Sequence, residues 1–106
     1  MASVRLETWR IVDRESFHDV CAATFGFPAF YGRNMDAWID CMTYLDDGMS
    51  RFDLPRGEVL TIEVMEFDDF ESRLPAIAKD LLECAAFVNE RRAEQGEPPR
   101  IELIRR

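Results

Sequence analysis

The run Val59-Leu60-Thr61-Ile62-Glu63-Val64 is the strongest strand signal in this chain, and segments with apolar residues at helical spacing lie on both sides of it. Strands separated by helices favour a parallel sheet with right-handed crossovers. The run is apolar enough to be expected buried on both faces of that sheet. Val4 to Val12 reads as an earlier strand, carried by Val4, Leu6, Trp9 and Ile11, and Ile101 to Ile104 as a closing one. Asp13 is placed to cap a helix in which Phe17, Val20, Cys21 and Phe25 recur every three or four residues, and Gly26 and Pro28 stop it. A loop from Phe27 to Gly32 leads to Asn34, the expected cap of a second helix running to about Asp47. Gly48 to Gly57, with Pro55, reads as a loop. A short acidic helical segment with Phe67 and Phe70 follows. Pro75 then opens a long helix that carries Ile77, Leu81, Leu82, Ala85 and Val88 on one side and ends at Gly96, Pro98 and Pro99. The predicted order is β-α-α-β-(short α)-α-β, an α/β fold.

With 106 residues, 47% hydrophobic and 32% charged, the composition suits one soluble folded domain over residues 1–106. The chain has 21 acidic and 13 basic side chains, a net charge of −8. That excess argues against nucleic acid or an anionic membrane as the direct partner and favours a cationic protein. The acidity is concentrated: residues 36–71 hold eleven acids against Arg51 and Arg56, while residues 1–35 are neutral. A solvated face kept for solubility is the plainer explanation of such a stretch.

Cys21, Cys41 and Cys84 cannot all pair within one chain and show no CxxC spacing, so free thiols in a reducing compartment are expected. The first residues lack the apolar run of a signal peptide, which predicts a cytoplasmic protein. No cofactor is implied.

On the second helix, Met35, Trp38, Ile39, Met42 and Leu45 fall on one arc, and Asp36, Asp40, Thr43, Tyr44 and Asp47 on the other. The second arc sets two carboxylates one turn apart beside a hydroxyl and an aromatic ring. Like charges at that spacing cost a helix a few tenths of a kcal/mol. Asp36, in the first turn, complements the helix dipole; Asp40 lies deeper and has less of that excuse.

The block from Phe27 to Thr43 resembles the barstar family of intracellular ribonuclease inhibitors, through Pro28, Tyr31-Gly32, Asn34, Asp36-Ala37, Asp40-Cys41 and Thr43. The resemblance implies a three-stranded parallel β-sheet flanked by helices, in the element order read above. It also implies a mechanism: ribonucleases of the barnase type hold RNA phosphate in a pocket of arginine, lysine and histidine, and the inhibitor plugs that pocket with a helix and the adjoining loop. By this resemblance Asp40 stands in for a phosphate, Asp36 pairs with a peripheral arginine, and Thr43 lies at the contact edge. Phe30 belongs to the docking loop, and Gly32 and Asn34 to the turn that presents it. With Tyr31 of the matching block and Tyr44 of the acidic arc, these residues make up the expected partner-binding surface. Departures from the family pattern are Phe30 for a tyrosine, Arg33 for an acid, and Tyr44 and Leu45 for a glycine and a tryptophan. Glu90 is the nearest candidate for an acidic contact in the last helix.

Among the remaining residues, His18 reads as a packed or surface histidine and Cys41 as half-buried. Trp9 and Trp38 are expected in the core. Glu63, Glu66, Asp68, Asp69 and Glu71 follow no EF-hand spacing. Three functions remain open: a ribonuclease inhibitor, an acidic adaptor or immunity protein for a different cationic partner, and a metal-dependent hydrolase on Asp36 and Asp40. The last has a thin ligand set, so no enzyme is expected.

Overall fold

The computed structural model describes residues 2–45, 47–52, 54–55 and 57–106. Strands β1 (Ala2–Leu6), β2 (Leu60–Val64) and β3 (Ile101–Arg105) form one sheet in the order β1-β2-β3, and both pairs are parallel. The register sets Val4 beside Ile62 and Ile62 beside Leu103. Helices α1 (Arg14–Phe25) and α2 (Met35–Thr43) lie between β1 and β2; α3 (Phe67–Arg73) and α4 (Pro75–Glu94) lie between β2 and β3. The expected order is the observed one.

Burial along the strands alternates. Val4, Leu6, Leu60, Ile62 and Val64 are buried, whereas Ser3, Arg5 and Glu102 are exposed and Thr61 and Glu63 half-buried. One face carries the core under the helices. The other carries charge: Glu63 lies 3.5 Å from Arg5 and 3.0 Å from Arg106. The expectation that β2 is buried on both faces is therefore corrected, because Thr61 and Glu63 alternate with its core residues.

β1 is also shorter than expected. After Leu6 the chain turns into a 3-10 turn, Thr8–Arg10. Arg73 of α3 donates to the carbonyls of Ile11 and Thr8 at 2.9 and 3.1 Å, and the Thr8 hydroxyl donates to Met65 O at 2.5 Å. These side-chain bonds take the polar groups a longer strand would have spent on its neighbour. Trp9 then points outward, 53% exposed, and does not join the core.

Helix starts follow local chemistry. Asp13 and Ser16 form a reciprocal cap on α1, Ser16 N donating to Asp13 Oδ1 at 2.8 Å and Asp13 N to Ser16 Oγ at 3.0 Å. α1 ends at Gly26 in the left-handed region, φ 67°, where a Cβ would come within 2.6 Å of Arg51 Cβ. Pro75 occupies the first turn of α4, where its missing N–H costs nothing. Ile77, Ala78, Leu81, Ala85 and Val88 face the core from that helix. At its far end the Asn89 amide accepts from Arg100 N and Ile101 N and donates to Ile101 O, tying α4 to the start of β3. α2 packs against α4, and α1 against β1. Among the described residues, no helix is long and apolar enough to cross a membrane.

Candidate functional site: the exposed flank of α2 and its entry loop

Asn34 starts α2 as predicted: its Oδ1 accepts from Ala37 N at 2.8 Å, and its amide donates back to Gly32 O at 3.3 Å. That second bond shapes the turn before the helix. Gly32 sits close under it, since a Cβ there would lie 3.4 Å from both Ala37 Cβ and Asn34 Nδ2. Trp38, Met42 and Leu45 are fully buried, with Met35 and Ile39 packed partly against them. The core arc expected from the period is the observed one.

α2 ends at Thr43 rather than near Asp47, with Tyr44 leaving helical geometry at φ −111°, ψ 41°. Asp46 lies outside the described residues. The Thr43 hydroxyl bonds the Ile39 carbonyl at 2.6 Å, a local bond that competes with continuation of the backbone ladder.

The opposite arc is partly open. Asp36 and Asp40 are exposed, and Tyr44 stands at the exposed end of the helix. Phe30, in the entry loop, is 75% exposed. Phe30, Tyr31, Gly32 and Asp40 are brought together around an open groove of about 280 Å³, completed by Ala37, Cys41 and Met49. Asp36 lies one turn before Asp40 on α2, and Asn34 caps the helix ahead of it.

Two expected surface residues are placed differently. Thr43 is wholly buried with its hydroxyl already spent, so its side chain does not reach the contact edge. Tyr31 is buried among Phe27 and His18, and its hydroxyl lies 2.6 Å from His18 Nδ1. Its place is beneath the loop, as a support. His18 is a packed histidine, as one of the two sequence readings has it. Cys41 is more deeply buried than expected.

Arg33, which replaces an acid of the family pattern, adopts φ 56° and folds back on α1, donating to Asp19 Oδ1 at 2.7 Å and Glu15 O at 3.1 Å. Its charge is matched there. The cation that does meet the acidic flank is Arg91 of α4, whose Nη1 lies 3.0 Å from Asp40 Oδ1. The Asp40 carboxylate, with the Tyr44 hydroxyl adding to it, holds the Arg91 guanidinium above its ordinary range. Sequence reading misses Arg91, because nothing local links two positions 51 residues apart. Asp36 makes no ion pair among the described residues.

The flank is chemically an acceptor surface: two carboxylates able to take charge-assisted bonds from arginine or lysine, beside an exposed aromatic ring. The thiols near it and in the core are not activated. Burial pushes the Cys41 and Cys84 thiols up, and the Cys21 thiol, wholly enclosed, up to about 12.

A profile of the family described as Barstar (barnase inhibitor) matches residues 1–104. The chain belongs to the barstar family. No curated protein matches it. The barstar match reaches from β1 into β3, well beyond the block around α2 that first carried the resemblance. Proteins of the barstar family are inhibitors rather than enzymes.

Proposed function

We propose that this barstar-family protein acts in the cytoplasm as an inhibitor of a small basic ribonuclease, closing the enzyme's cationic RNA-binding cleft with α2 and the loop before it. The observation that carries this reading is the exposure of Asp36 and Asp40 on one flank of α2, next to the exposed ring of Phe30. Asp40 accepts the cations that otherwise hold an RNA phosphate, Asp36 meets a basic residue at the rim, and Phe30 packs against the edge of the cleft. The net charge of −8 speeds the encounter with a basic enzyme, more so at low salt.

The test is a titration of RNA cleavage. Proteins captured by this chain from its own cells are assayed for ribonuclease activity before and after release in high salt. Asp40→Ala is then compared with Asp68→Ala, an exposed acid on α3. Loss of a charge-assisted bond costs about 2 kcal/mol, some thirtyfold in affinity. Asp40→Ala shows that loss and Asp68→Ala does not; equal effects of the two count against the reading.

A second reading, an immunity protein for a cationic partner of different chemistry, is favoured by one observation: Asp40 already holds an arginine of its own chain. Capture of a stable partner without ribonuclease activity selects it.

A further inference from the structure

Among the described residues, the aromatic side chains open to solvent are Trp9, Phe30, Tyr44 and Phe87. Phe30 and Tyr44 border the acids of α2. Phe87 comes from α4 and is 48% exposed. It follows Cys84 by three residues and precedes Arg91 by four, so the three side chains are neighbours on one stripe of the helix. Both of those neighbours face α2. Arg91 Nη1 lies 3.0 Å from Asp40 Oδ1. After burial, the carboxylates of Asp80, Glu83 and Asp36 push the Cys84 thiol up, which sets Asp36 across the seam from that turn of α4. Phe87 therefore stands on the solvent side of the seam, between the turns that face the two acids. Glu90, the acidic contact expected on this helix, is turned about 60° further from the seam.

We infer that the partner-binding surface crosses from α2 onto α4, where Phe87 and Asp36 together take one arginine of a basic ribonuclease of the barnase type, the ring under the guanidinium plane and the carboxylate at its edge. This deepens the proposed inhibitor function and rests on α2 being the docking flank.

A single phenylalanine on a helix surface is ordinary. Phe87 is one of three rings set around two carboxylates, and rings of this kind are enriched where proteins meet. The two acids also differ. Asp40 is shared with Arg91, whereas Asp36 is exposed and makes no ion pair among the described residues. An open carboxylate beside an open ring suits arginine better than lysine. The guanidinium is planar and weakly hydrated, so one face stacks on the ring while its edge keeps N–H groups for the carboxylate. The compact, strongly hydrated ammonium of lysine has no flat face to stack.

Barnase, named in the description of the family, is the probe. Its RNA cleavage is titrated with the natural chain, Phe87→Ala, Phe87→Leu, Asp36→Ala, Phe87→Ala combined with Asp36→Ala, and Asp40→Ala. Trp9→Ala is the control, a ring of similar exposure on the 3-10 turn that packs on α1 and α3. Thermal melts establish that each variant folds. Phe87→Ala raises the inhibition constant about tenfold, and Phe87→Leu about threefold, since area stays and the stacked ring goes. Trp9→Ala leaves it unchanged. The double variant loses less than the product of the two single losses, because ring and carboxylate grip one arginine. An effect of Phe87→Ala no larger than that of Trp9→Ala overturns the inference. So does a double loss equal to the product. Weakening by Asp40→Ala with none by Phe87→Ala removes α4 from the surface and leaves the reading of α2 standing. Failure of the natural chain to inhibit barnase also overturns the inference. The inhibitor function is then decided separately, by the proteins captured from the chain's own cells and Asp40→Ala against them.

Discussion

His18 Nδ1 lies 2.6 Å from the Tyr31 hydroxyl oxygen, and this bond fastens α1 to the loop that leads into α2. Burial, followed by the positive charges of Arg33 and Arg14, outweighs the pull of Asp19 and holds His18 below its ordinary value of 6.5. The unfolded chain thus binds a proton that the folded chain resists. The contribution of His18 to stability is complete above pH 6.5 and is lost as the pH falls from there through the lowered folded value. Urea unfolding followed from pH 7.5 to 5.5 shows stability declining with acid, and His18→Gln flattens that slope. Tyr31→Phe removes the shared bond at neutral pH and costs about 1 to 2 kcal/mol.

Asn34 joins two roles, a helix cap and a clasp on the Gly32 carbonyl. Asn34→Ala lowers stability by about 1 kcal/mol, read as a shift in the urea midpoint, while Asn34→Asp retains most of the cap. An unchanged midpoint in Asn34→Ala refutes the capping role.

Gly26 and Gly48 both have positive φ, 67° and 77°, but only Gly26 is crowded. A side chain at Gly48 meets nothing within 4 Å, so Gly48→Ala carries backbone strain alone, about 1 kcal/mol. Gly26→Ala adds a clash with the Arg51 backbone and Cβ, at 2.9 and 2.6 Å. Its midpoint falls well beyond that of Gly48→Ala. Equal losses at the two positions contradict the contact with Arg51.

The three thiols differ in access. Cys84 is half-buried, whereas Cys21 and Cys41 are buried, and Cys21 is held protonated to about pH 12. Alkylation at pH 7.5 followed by peptide mass spectrometry modifies Cys84 first and leaves Cys21 intact until the chain unfolds. Early labelling of Cys21 overturns this order.

What the sequence discloses and what it hides divide along the range of the interactions involved. Asp13, Asn34 and Pro75 mark helix starts because a cap is settled within three or four residues. The end of β1 is hidden because it depends on Arg73, 65 residues away from Thr8, reaching back for its carbonyl. The period of α2 separates Trp38 and Met42 from Asp36 and Asp40, yet says nothing of the width of the covered arc. Cys41 and Thr43 fall inside it, so Thr43 moves from the surface to the core. The Phe27–Thr43 block made the exposed acids legible. Their pairing was not, since Arg91 arrives from another helix.

α2 is capped at its start by Asn34 on Ala37 N, closes its last turn with Tyr44 N on Asp40 O, and encloses Trp38 between them. Association with a partner there is expected to resemble two finished solids meeting, with the heat-capacity change tracking contact area alone and no coupled folding of α2.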